Sequence, residues 1–153
     1  MNGNTYDAIA DRVAKAVEAH NDLQHRFEQA VNVALDRIVE RLQTAREVIT
    51  IGFLDNEKGF VRELPKLNDQ HEATVAYRVN FASAAGHAAD NRTFEQLVTF
   101  GVSRQGIKAL IPGDDILEVT TIGGLNQHDL LAERIVNQLL RWTGELEVAN
   151  RHS

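Results

Sequence analysis

The amino-terminal third of the chain carries a run of 43 residues, Tyr6 to Val48, that contains neither proline nor glycine. Its apolar residues recur at steps of three and four, which is the repeat of one face of an α-helix. The stripe consists of Ile9, Val13, Ala16, Leu23, Phe27, Val31, Leu35, Ile38, Leu42 and Ala45, with His20 in the slot between Ala16 and Leu23. We therefore predict a helix over residues 6–48.

The length of this helix constrains what the chain can fold into. An unbroken helix of this size spans about 65 Å, whereas a globule of 153 residues is roughly 40 Å across. A continuous helix must protrude, so its apolar stripe needs a partner chain. The alternative is a kink near residues 20–22, where Asn21 or Asp22 could cap a second helix and Gln24 takes the capping-box position.

The protruding stripe predicts a homo-oligomer whose interface is the long helix, in the manner of a coiled coil. Burying one such stripe removes on the order of 1,000 Å² from water, which is the size of a specific interface. His20 would then be a polar residue in an apolar seam, a position that can set register. We expect this contact to be made by Val13, His20, Leu23, Phe27, Val31 and Ile38.

After Val48 the apolar period changes from helical to two, which is typical of strands. The clearest strand alternates Ala73, Val75, Tyr77, Val79 and Phe81 with polar residues. Turn residues separate several short strands between residues 48 and 122. A second helix is predicted over residues 126–143, with Asn126 as its N-cap and Gly144 as its stop.

This order of elements predicts one α+β domain over residues 1–153. It has a long N-terminal helix, an antiparallel meander of five or six strands and a C-terminal helix packed on the sheet. The connections between strands are too short for parallel crossovers.

Composition excludes several classes of function. The chain has no cysteine, so disulfides, thiolate zinc sites and cysteine nucleophiles are absent. The net charge of −6 disfavours nucleic acid, and the arginines of the first helix are interleaved with acidic residues. We expect no metal, no cofactor and no membrane segment, and the polar, acidic N-terminus favours a cytoplasmic protein.

No catalytic signature, metal-ligand cluster or nucleotide fingerprint stands out in the sequence. Our first hypothesis is a non-enzymatic binding or assembly protein that forms a homo-oligomer and engages a client protein. The alternative is a small-ligand sensor or modest enzyme with a pocket between sheet and helix. Its pocket would be lined by Tyr77, Arg78, His87, Arg92 and His128.

Overall fold

The computed structural model describes residues 4–81 and 93–151. It confirms the α+β class, with two helices and a six-stranded antiparallel sheet in the described residues. A short 3₁₀ turn, Arg46–Val48, connects the first helix to the sheet. The elements are α1 (Asn4–Leu42), β1 (Ile49–Asp55), β2 (Gly59–Val61), β3 (Glu72–Asn80), β4 (Thr93–Ser103), β5 (Gly106–Leu110), β6 (Leu117–Thr121) and α2 (His128–Arg151).

The strands lie in the order β2-β1-β3-β4-β5-β6, and every neighbouring pair is antiparallel. The meander runs from β3 to β6, because each of these strands pairs with the next one along the chain. β2 instead folds back beside β1 as a short edge strand. Residues 62–71 then return the chain to the other side of β1, where β3 begins.

Both helices pack on one face of the sheet, which we call the inner face. Phe100 of β4 meets Phe27 of α1 with ring centroids 5.7 Å apart. Phe94, six residues earlier on the same strand, meets Trp142 of α2 at 5.7 Å. Since residues an even number apart in a strand share a face, both helices cover the same side. The buried core lies between that side and the helices.

α1 is helical without interruption through residues 20–22, and it ends at Leu42 rather than at Val48. Gln43 takes a left-handed conformation, φ 52°. Its N–H donates to the carbonyl of Glu40 at 3.3 Å, and the N–H of Thr44 donates to that of Val39 at 3.4 Å. These two bonds form a Schellman stop. Apolar period alone misses it, because glycine rather than glutamine usually occupies this position.

α2 begins where Asn126 caps it, since the N–H of His128 donates to Oδ1 of Asn126 at 3.2 Å. The predicted stop at Gly144 is not used, and the helix continues to Arg151. A glycine inside a helix costs only about 1 kcal/mol relative to alanine. The residues that follow it contain no proline, so the helix is not terminated there.

Candidate functional site

The first four turns of α1 stand outside the body of the protein. Every side chain from residue 5 to residue 19 is exposed, and His20 is the first that is partly buried. We call residues 5–19 the arm. At 1.5 Å per residue the arm is about 22 Å long. Its five alanines are strong helix formers, which stabilises a helical segment whose side chains are all exposed.

One face of the arm is apolar. Tyr6, Ile9, Val13 and Val17 follow one another at steps of three and four, and they are 76%, 55%, 56% and 53% exposed. We call these four residues the arm stripe. They lie on the same side of α1 as Phe27, which is buried in the core. The face that packs on the sheet therefore continues past the sheet's end, where no described residue covers it.

The predicted interface residues fall on both sides of this boundary. Val13 belongs to the arm stripe, and His20 lies at the root of the arm. The other four are at most 9% exposed because the sheet and α2 cover them, so they are not available to a second chain. This part of the prediction is corrected for Leu23, Phe27, Val31 and Ile38.

The predicted interface lies in the middle of α1, where the apolar stripe of the sequence is strongest. The same period extends back to Ile9, but period does not reveal which turns the chain's own sheet covers. The predicted interface therefore leaves out three residues of the arm stripe, Tyr6, Ile9 and Val17. The sequence signal for the arm stripe is the four-residue spacing from Ile9 to Val13.

Tyr77 and Arg78 do not meet in a common pocket. Tyr77 points to the inner face, where its hydroxyl donates to the carbonyl of Val31 at 3.1 Å. Arg78 points to the outer face, where its Nε donates to Glu95 at 2.5 Å and its guanidinium lies 3.9 Å from the ring centroid of Phe60. Successive strand residues point to opposite faces, so adjacent positions could not converge. His87 and Arg92 lie outside the described residues.

His128 occupies the first turn of α2 and is only 7% exposed. Its ring nitrogen Nδ1 is buried and has no hydrogen-bond partner. Burial lowers the pKa of His128, the charge of Arg37 lowers it further, and Asp129 opposes both. The imidazole is therefore neutral at pH 7.

A groove of about 690 Å³ runs between α1 and the β5–β6 end of the sheet, and His128 forms part of its wall. We call it the helix–sheet groove. Its α1 side contributes His25, Arg26 and Glu28, and Thr120 comes from β6. The groove offers one guanidinium, two carboxylates (Glu28 and Asp36) and two imidazoles to a small polar molecule. Of the predicted pocket residues described, His128 alone lines it.

A second groove, also of about 690 Å³, lies on the outer face of β4, β5 and β6. Leu110, Ile116 and Ile122 line it, and they are 38%, 64% and 84% exposed. Lys108 adds a positive charge, and Glu72 and Glu118 add two negative charges. This groove is a shallow apolar surface without a cluster of chemically reactive groups.

In the parts of the chain that the structure describes, no three side chains of the metal-binding types come together to hold an ion. Neither described helix carries an apolar stretch long enough to span a bilayer. Comparison with known proteins found no protein family, curated protein or solved structure that matches this chain.

Proposed function

We propose that this chain is a non-enzymatic binding or assembly protein that self-associates through its arm. The observation that carries the proposal is the arm stripe, four large apolar side chains that no described residue of the chain covers. Exposed apolar surface of this continuity is typical of an interaction site. The occupant we propose is the arm of a second copy.

In an antiparallel pair of arms, the arm stripe of one copy can pack against the arm stripe of the other. If two arms cross at Val13, then Ile9 of each copy lies opposite Val17 of the other. Tyr6 lies opposite His20 at the root. The contact is the same from both sides, as a two-fold dimer requires.

The distribution of charge on the arm supports a helix partner. Asp7, Asp11, Lys15 and Glu18 lie on the side opposite the arm stripe when the helix advances 100° per residue. They stay in water when the stripe is covered. Ala10 and Ala16 border the stripe on its two sides and let two helix axes come within about 8–10 Å.

The area of the arm sets the strength of the contact. The stripe and its flanks bury on the order of 600 Å² per copy, compared with about 800 Å² in a stable complex. We therefore expect a reversible dimer with a Kd in the micromolar range.

The test compares two single substitutions that each add one carboxylate. Val13→Glu places it in the centre of the arm stripe, and Ala14→Glu places it 100° around the helix on an exposed side. Sedimentation velocity across a concentration series should show dimer for the natural chain and for Ala14→Glu, and monomer for Val13→Glu. Circular dichroism checks that helix content is equal in the three proteins. A natural chain that stays monomeric at hundredfold the expected Kd, or equal loss of dimer in both variants, contradicts the proposal.

A second candidate function is binding of a small anion in the helix–sheet groove. It is favoured by the guanidinium of Arg26, which lines the groove together with the imidazoles of His25 and His128. Succinate and inorganic phosphate are the probes, and NMR shift changes report their binding. Saturable changes confined to the groove and lost in Arg26→Gln support this function. Shifts that are scattered, or unchanged in the variant, oppose it.

A further inference from the structure

Two histidines from distant parts of the chain meet at the root of the arm. His20 comes from α1, and His71 comes from the turn that leads into β3. Their ring centroids are 5.6 Å apart, and the ring planes are inclined by 42°. Both side chains are partly exposed, so the pair is accessible from solvent.

His71 is held by its backbone. Its φ of 60° lies in the left-handed region that few residues other than glycine adopt. Its N–H donates to the carbonyl of Asn68 at 2.9 Å, and its own carbonyl accepts from Val102 at 3.0 Å. Oδ1 of Asn68 also accepts the N–H groups of Gln70 and Glu72, each at 2.9 Å. These hydrogen bonds hold the turn in place on both sides of His71. A left-handed conformation of a residue other than glycine is strained, and such strain is often found at functional sites.

We propose that His20 and His71 bind a divalent transition-metal ion, with zinc as the reference case. Zinc–nitrogen bonds of about 2.0–2.1 Å at a tetrahedral angle place two imidazole centroids about 5.2 Å apart. The observed distance between the centroids is 5.6 Å. A small rotation of either ring would close the difference. Imidazole nitrogen is a preferred ligand of zinc, copper and nickel.

The chain supplies two of the ligands. Since the described residues bring no third histidine or carboxylate into such a group, water fills the remaining positions. A site with two protein ligands binds more weakly than a closed structural site with four. The bound ion would link the root of the arm to the turn before β3. Both ligands belong to one chain, so a monomer can bind the ion.

The test uses the full chain without an affinity tag. Zinc chloride is titrated into the protein by isothermal titration calorimetry, with copper(II) followed in parallel by electron paramagnetic resonance. His20→Ala removes one ligand. His71→Asn removes the other while keeping a residue type that tolerates the left-handed conformation. His25→Ala is the matched control, since His25 is an exposed histidine on the same helix.

We expect one zinc per chain, with affinity reduced at least about tenfold in His20→Ala and in His71→Asn and unchanged in His25→Ala. The nitrogen hyperfine pattern of bound copper should report two imidazoles in the natural chain and fewer in either ligand variant. Binding of equal strength in the natural chain and both ligand variants would overturn the proposal, as would the absence of binding in the natural chain.

Discussion

Leu67 donates its backbone N–H to Oε1 of Gln24 at 2.8 Å, and Nε2 of Gln24 donates to the carbonyl of Pro65 at 3.1 Å. Gln24 is only 8% exposed, so one buried amide of α1 fastens the segment that returns the chain from β2 to β3. Buried polar groups are stabilising only when they are paired. Here both ends of the amide are paired, and the sheet order β2-β1-β3 depends on this segment.

Replacing Gln24 by methionine keeps the volume of the side chain and removes these two bonds, together with the bond that Nε2 donates to Glu28 at 3.0 Å. The N–H of Leu67 is then buried without a partner, which costs about 1–3 kcal/mol. We expect the free energy of unfolding, measured with urea, to fall by that amount. Gln29→Met is the control, because Gln29 is exposed on the same helix and should change stability by less than about 0.5 kcal/mol. Equal losses in the two variants would contradict this role of Gln24.

Stability at high pH depends on Tyr77. The residue is fully buried, and burial raises its pKa above the ordinary value of 10. Above pH 10 the unfolded chain releases a phenolic proton that the folded protein keeps. The contribution of Tyr77 is therefore complete below pH 10 and is lost as the pH rises, by about 1.4 kcal/mol per pH unit.

The measurement is urea unfolding at a series of pH values above 9, for the natural chain and for Tyr77→Phe. The variant should be less stable at neutral pH, because it loses the bond to Val31, and its stability should fall less steeply with pH. The chain has two tyrosines, so in a Tyr6→Phe background the absorbance of phenolate reports Tyr77 alone. Parallel pH curves for the natural chain and Tyr77→Phe would show that the hydroxyl does not stay protonated in the fold.

Gly52 of β1 has no room for a methyl group. A Cβ built there lies 2.1 Å from the carbonyl oxygen of Val61 and 2.6 Å from the ring of Phe60. Gly52→Ala must displace β2 and the ring that covers Arg78, so we expect a loss of about 1–3 kcal/mol or more in unfolding free energy. At Gly101 the nearest atom to an added Cβ is 3.9 Å away, and Gly101→Ala should be neutral or slightly stabilising. A well-tolerated Gly52→Ala would mean that β2 is not packed as closely as this.

The α+β class could be predicted because its signals are local. Period two through Val75 and Tyr77 gives a half-buried strand in almost any context. The end of α1 could not be predicted, because glutamine, the residue at position 43, does not usually mark the end of a helix. The position of β2 at the sheet edge could not be predicted either, since it depends on the contact between Gln24 and the backbone of residues 65–67.

The candidate site was predictable only in part, for a related reason. Helical period identifies Val13 and Phe27 as members of one apolar face, but only tertiary packing assigns Phe27 to the core and Val13 to solvent. His71 has no sequence signal, because its meeting with His20 depends on a left-handed turn and on sheet topology. The spacing of residues identifies which side chains share a face of one helix or strand, but it does not identify contacts between elements.

Acid should weaken the fold through His128. Its folded pKa is lowered, mainly by burial, while the unfolded chain keeps a histidine pKa of about 6.5. Above about pH 6.5 both states are neutral at this residue and its contribution is complete. As the pH falls below that value the unfolded chain binds a proton that the fold excludes, so the free energy of unfolding decreases until the folded pKa is reached.

His128→Leu removes the titrating group and its unpartnered Nδ1 and leaves the backbone N–H for Asn126. We expect the variant to lose less stability than the natural chain between about pH 7 and pH 5, measured as the difference between two urea curves at each pH. The comparison is needed because carboxylates titrate over part of the same range in both proteins. The charge of Asp129 acts in the opposite direction, because it favours the imidazolium and so raises the pKa of His128. Asp129→Asn should therefore lose more stability on acidification than the natural chain. If His128→Leu and the natural chain lose equal stability, protonation of His128 is tolerated in the fold, and the groove beside it is open enough to hydrate the charge.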